Sequence, residues 1–183
     1  MKKMDHSISA IIDYSKKDKT QEITTEEIDF KKLIDESLLS LQYMEEAELV
    51  HVTVSVQETG LFLSDYPRLL SIFNNMISNA IRYRDQGKKS FLNIDVSFTK
   101  GKAIIVLADN GVGIDQAFQC KIFDKLFRVN HDHRGSGLGL HIVRRTIKKL
   151  NDEIKLHSIL GEGTKFTIEI PNLLSSSLSI NCD

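Results

Sequence analysis

Asn75, Asn79 and Arg82 fall at i, i+4 and i+7 of a segment running from Arg68 to about Tyr83. Its apolar residues, Leu69, Phe73, Met76, Ile77 and Ala80, occupy a different stripe of the same helix. Side-chain amides are mediocre helix formers, so two stacked beside an arginine suggest a site. An amide oxygen is a hard ligand suited to Mg²⁺, which takes few protein ligands and completes its shell with waters and phosphates. Arg82 beside the pair can neutralise a phosphate oxygen. Taken alone, the same face also suits simple solvation.

Two glycine clusters lie downstream. Ala103 to Ala108 is an apolar run ending in Asp109, followed by Asn110, Gly111, Val112 and Gly113. A carboxylate at the end of a buried strand needs donors, and the exocyclic amine of adenine is a suitable one. Gly111 and Gly113 would let backbone pass close to a flat base. Asp-Asn-Gly is equally good chemistry for a tight turn. The second cluster, Gly135-Ser136-Gly137-Leu138-Gly139-Leu140, opens an apolar-periodic segment. Successive N–H groups and the start of a helix favour phosphate there. The polar, basic stretch Arg128 to Arg134 precedes it in place of a strand, so a dinucleotide fold is not indicated. No Gly-Lys-Ser/Thr phosphate loop is present either. Gly161-Glu162-Gly163-Thr164 reads by itself as a hairpin turn.

The elements that must position these groups are legible in outline. Asp29 can cap a helix carrying Leu33, Ile34, Leu38, Leu41 and Met44. Val50, Val52, Val54 and Val56 alternate as a half-buried strand. A short strand over Leu61 to Leu63 leads to Ser64-Asp65-Tyr66-Pro67, an Asp cap with Pro in the first turn. Phe91 to Phe98 and Ala103 to Ala108 read as strands joined at Lys100-Gly101. Gln116 to Phe127 is expected to be helical. The helix after the second glycine cluster turns Leu140, Val143, Ile147 and Leu150 inward. Strands Ile154 to Ser158 and Thr164 to Ile170 close the chain before Pro171. Strands and helices mix without a βαβ repeat, which predicts an α+β fold with a mixed sheet covered by helices on one face.

With 183 residues the chain suits one domain. A formal net charge of −1 gives no global basic field for nucleic acid or an anionic membrane. No apolar run approaches a spanning helix and the start has no signal-peptide pattern. Cys120 and Cys182 offer neither a zinc spacing nor a disulfide framework, so a reducing, cytoplasmic setting is expected.

The ordered set resembles the catalytic ATP-binding domain of sensor histidine kinases, within the wider ATPase group of gyrase, the heat-shock chaperone and mismatch-repair proteins. Asn75 to Tyr83 is similar to its N box and Asp109 to Gly113 to its first glycine box. Ile122-Phe123-Asp124-Lys125-Leu126-Phe127-Arg128 is similar to the F box, Gly135 to Leu140 to the second glycine box, and Gly161 to Thr164 to the third. The likeness covers about residues 29 to 171 and implies the two-layer α/β sandwich of that group. It implies ATP and Mg²⁺ as cofactors. Asn79 would hold the metal, with Asn75 helping at metal and phosphates. Arg82 would face phosphate, Tyr83 would lie beside the base and Asp109 would receive the adenine amine. Gly135, Ser136, Gly137, Leu138, Gly139 and Leu140 would wrap the phosphates. Ile114, Phe127, Arg128 and Thr164 complete the expected nucleotide contacts, with Asn75 and Arg82 as the catalytic pair.

Three departures shape the expectation. None of the six histidines has the family's phosphoacceptor context of an acidic neighbour followed by Arg and Pro. His6 comes nearest, yet residues 4–15 carry the apolar spacing of a helix end. The domain reading is therefore residues 1–28 as the remnant of a helical dimerisation and phosphoacceptor domain plus linker, 29–172 as the catalytic domain and 173–183 as a tail. The lid between the F box and the glycine loop is short, Arg128 to Arg134, which predicts an exposed nucleotide and fast exchange. His131 and His133 within it read as loop histidines. Finally, the water-hydrolysing relatives place Glu where this chain has Asn75, and an amide cannot take a proton. The expected reaction is γ-phosphoryl transfer to a histidine on a dimerisation domain, in a homodimeric full-length kinase that serves a response regulator receiver domain. Any membrane anchor of that protein would lie outside this chain. A protein-serine kinase of the anti-sigma type and a non-catalytic nucleotide-binding module are the alternatives on the same fold.

Overall fold

The computed structural model describes residues 23–58, 60–129 and 136–174. The 4–15 stub, His6, His131, His133, Arg134, Gly135 and the end of the tail lie outside the described residues. Strand β1 (Glu26–Glu27) precedes helix α1 (Phe30–Leu41), a 3₁₀ turn at Ala47–Leu49, strand β2 (Val50–Val56) and strand β3 (Leu63–Ser64). Helix α2 (Tyr66–Arg82), strands β4 (Ser90–Thr99) and β5 (Lys102–Asp109) and the one-turn helix α3 (Gln116–Gln119) follow. Helix α4 (Gly139–Lys149) and strands β6 (Ile154–Ile159) and β7 (Gly163–Pro171) complete the fold.

Both long N-terminal helices start where their aspartates dictate. The Asp29 side chain accepts from the Lys32 N–H at 3.0 Å, and Asp65 accepts from Arg68 N–H at 2.9 Å with Pro67 in the first turn. Each such cap is worth about 1 kcal/mol. The main sheet runs β2-β4-β5-β7-β6, with β2 and β4 parallel and the other pairs antiparallel. Lys100 and Gly101 form the β4–β5 turn with φ of 47° and 75°, the left-handed pair that a two-residue hairpin needs.

One face of the sheet buries Leu92, Ile94, Val96, Ala103, Ile105, Leu107, Ile168 and Ile170. Leu33 and Ile34 of α1, Leu69, Phe73 and Ile77 of α2, and Val143 and Ile147 of α4 cover it. Each large side chain so buried contributes roughly 1.5–3 kcal/mol. Phe30, Phe62 and Phe98 close one corner with ring centroids 5.2–5.7 Å apart. Ser37 donates to Asn74 Oδ1 at 2.5 Å and fastens α1 to α2. The opposite face exposes His51, Thr53, Ser55, Asp95 and Lys165. This is the helices-on-one-face sandwich expected from the sequence.

Two local expectations are corrected. The helix expected over Gln116 to Phe127 stops at Gln119, and turns carry the chain onward. The strand expected at Leu61 to Leu63 forms instead at Leu63–Ser64, because its register is set by Glu26 and Glu27 of β1.

Candidate nucleotide site

The C-terminal end of β5, the last turns of α2 and the first turn of α4 meet at one end of the sandwich. Asp109 closes β5 and is paired in register with Thr164 of β7. Its Oδ1 accepts the Gly111 N–H at 2.9 Å, and the Thr164 backbone N–H supports the same carboxylate. Burial nevertheless holds the Asp109 pKa above the usual carboxylate range, outweighing both donors. A carboxylate short of solvation is suited to a further N–H donor, which is what an adenine amine offers.

The loop after Asp109 is tied on both sides. Val112 N–H donates to the Tyr83 carbonyl at 3.0 Å, joining it to the end of α2, and the Gly161 N–H donates to Val112 O at 2.8 Å. Ile114 N–H donates to Ser158 Oγ at 2.9 Å. Ser158 Oγ also lies 2.8 Å from Gly163 O and 2.9 Å from Thr164 Oγ1. Gln119 Nε2 bridges Ile114 O and Ser158 O at 3.0 and 2.9 Å. The first and third glycine clusters are therefore one bonded unit.

At the other end of the site, Asn75 Nδ2 donates to Ser71 O at 2.7 Å. A carbonyl can only accept, so the Asn75 amide oxygen is the atom that faces outward. A Cβ placed on Gly139 would lie 2.9 Å from Asn75 Oδ1 and 3.8 Å from Asn79 Oδ1. Both amide oxygens thus face the first residue of α4, whose leading N–H groups have no intrahelical partner. Hard oxygen donors beside the positive end of a helix suit a Mg²⁺–phosphate unit.

The F-box segment braces this helix start. Leu126 N–H donates to Gly137 O at 3.0 Å, from a left-handed Leu126 with φ 64°. His141 Nδ1 lies 3.1 Å from Phe123 O, and the Arg144 guanidinium sits 5.5 Å over the Phe123 ring. Phe127 packs on Phe118 with centroids 6.1 Å apart. His141, Arg144, Lys125 and Lys148 line a cation-rich groove of about 400 Å³ along this seam.

The other expected residues are placed as follows. Arg82 is the last residue of α2 and half-buried, and Tyr83 caps that helix and is 47% exposed. Ser136 Oγ accepts the Leu138 N–H at 3.3 Å within the glycine loop. Leu138 is buried, and Leu140 packs on the core rather than outward. Arg128 is half-buried at the end of the F box. Ser158 and His141 were not singled out from the sequence. Ser158 had a signal, since it follows Ile154 and Leu156 in the inward phase of β6, where a hydroxyl needs partners. His141 had none.

A mixed sheet under three helices, with amide pair, under-solvated aspartate and glycine-opened helix at one end, defines an ATP-binding domain of the histidine-kinase type. The sequence profile of the histidine kinase-, DNA gyrase B-, and HSP90-like ATPase family matches residues 64–174. The chain belongs to that family, as an ATP-binding catalytic domain of the sensor histidine kinases. It is 33% identical over 127 residues to the sensor protein RprX of Bacteroides fragilis, covering 67% of this chain and 24% of that protein. It is 28% identical to the sensor protein kinase WalK of Staphylococcus epidermidis, covering 90% of this chain and 28% of that protein. The chain spans about a quarter of the length of these curated relatives. Among solved structures, full-length ShkA in complex with AMPPNP superposes with a TM-score of 0.77 at 20% identity, over 91% of this chain and 35% of that one. The catalytic domain of histidine kinase ThkA gives a TM-score of 0.69 at 21% identity, over 83% and 97% of the two chains. No helix among the described residues is long and apolar enough to cross a membrane.

Proposed function

We propose that this chain binds Mg-ATP between Asp109 and the first turn of α4, and passes the γ-phosphoryl group to a histidine on a dimerisation domain. The observation that carries the reading is the convergence of Asn75 Oδ1 and Asn79 Oδ1 on Gly139, which joins two motifs 60 or more residues apart. Asp109 and Thr164 take the base end. Asn79 holds the metal with help from Asn75, and Arg82 and Arg128 contribute positive charge. Bound there, Mg²⁺ would neutralise charge on the phosphate oxygens.

Transfer rather than hydrolysis is supported by Asn75 itself. Its NH₂ is committed to Ser71 O and its oxygen cannot take a proton, so it provides no base for water. A neutral imidazole brings its own lone pair, and catalysis is then mainly positioning and charge neutralisation. The acceptor histidine, the homodimer contacts and the response regulator receiver belong to the longer kinase in this reading.

Titration calorimetry of Mg-ATP, followed by phosphotransfer to a supplied histidine-bearing dimerisation domain, tests the proposal. Binding with transfer supports it. Binding without transfer points to a serine kinase or a nucleotide sensor on the same fold, and absence of binding removes the site.

A further inference from the structure

We propose that His141 is a positioning residue for the phosphate end of the site, acting through the Phe123 carbonyl; this deepens the nucleotide-binding reading and rests on it. His141 lies in the first turn of α4, two residues after Gly139. Its Nδ1 is 3.1 Å from Phe123 O. The carbonyl can only accept, so Nδ1 carries the proton, and it donates in the neutral and in the charged ring alike.

The first turn of α4 is held from two sides. On one side Gly139 abuts Asn75, close enough that a Cβ would lie 2.9 Å from the amide oxygen. On the other, Phe123 is nine-tenths buried, stacked edge-on against Phe166 at 6.5 Å and covered by Arg144 at 5.5 Å. Phe123 is therefore a fixed post, and His141 ties the helix start to it. The Leu126–Gly137 bond at 3.0 Å fastens the loop before the helix to the same segment. Farther along α4, Val143 and Ile147 are fully buried and anchor the helix independently. Loss of the His141 bond therefore releases the leading N–H groups and the Gly139–Asn75 contact while the helix stays docked. Asp109, Thr164 and the base end, held by Ser158 and the Tyr83 carbonyl, are not touched.

The signature is a split between ligands. The full chain is titrated by calorimetry with AMPPNP plus Mg²⁺ and, separately, with adenosine. His141→Leu is expected to weaken AMPPNP binding about tenfold, the factor set by roughly 1.4 kcal/mol for one lost hydrogen bond, with adenosine affinity unchanged. His141→Asn places an amide N–H where Nδ1 was and is expected to restore AMPPNP affinity to within about twofold. Equal weakening of both ligands would show general loosening and overturn the proposal. So would an unchanged AMPPNP affinity in His141→Leu, or a loss in His141→Asn as large as in His141→Leu. If the unsubstituted chain binds neither ligand, the nucleotide reading fails first and this inference with it.

Discussion

The amide oxygen of Asn75 and the backbone of Gly139 are opposed so closely that a methyl group on Gly139 would lie 2.9 Å from that oxygen. Asn75 cannot swing away without breaking its 2.7 Å bond to Ser71 O. Gly139→Ala therefore displaces a side chain tip rather than backbone, and alanine also suits a helix better than glycine by about 1 kcal/mol. The expected outcome is a melting temperature within a few degrees of the parent and an affinity for Mg-ATP lowered about tenfold or more. Thermal melting and calorimetry on the same samples check both halves.

Asp109→Asn is expected to weaken ATP binding by about ten- to a hundredfold, since a charged acceptor for an N–H donor is replaced by a neutral amide. The unliganded protein carries a pH signature as well. Burial raises the Asp109 pKa in the folded state, so between the ordinary carboxylate pKa and that raised value the folded chain holds the extra proton. Stability from this group is present at low pH and is lost as pH rises through the window. The melting temperature of the parent relative to Asp109→Asn should fall on going from about pH 4 to pH 7. A difference that stays flat with pH would remove the burial argument.

Asn79→Ala should abolish the dependence of ATP affinity on Mg²⁺. Titrations with Mg²⁺ and with EDTA should converge for the variant and differ for the parent. A metal effect of undiminished size would assign the ion to another ligand.

Gly161 in the β6–β7 turn and Gly163 at the start of β7 lie two residues apart and should respond very differently. A Cβ on Gly163 would meet Asp109 O at 2.0 Å, whereas one on Gly161 meets nothing within 4 Å. Gly163→Ala must move backbone at the base end and is expected to cost about 2–4 kcal/mol. Gly161→Ala retains only the penalty of its left-handed φ of 83°, about 1 kcal/mol. Urea unfolding of the two variants measures the contrast.

Where sequence and structure agree, the determinant is local. The Asp29 and Asp65 caps, the alternation of Val50 to Val56 and the Lys100-Gly101 turn each depend on a few neighbouring residues. Where they part, the determinant lies far along the chain. Gln116 to Phe127 breaks after one turn although no proline interrupts it. Ile122 and Phe123 are drawn into the core there, and Leu126 takes a left-handed conformation to bond Gly137. β3 is shifted because it answers to β1, whose two residues give no periodicity of their own to read.

By itself the sequence determined the inventory and order of the groups proposed for the site, because residue type at fixed spacing is enough to name an amide pair, a terminal carboxylate and a glycine-opened helix. It also determined the class of fold, since hydrophobic period is a local property. Tertiary structure alone decided which atoms confront one another. The Asn75 oxygen turns to Gly139 because Ser71 O holds its other end, Asp109 loses solvation because β7 and the glycine loops close around it, and His141 becomes a brace because Phe123 is buried opposite. Those relations join residues distant in sequence, and only packing of the helices on the sheet brings them together.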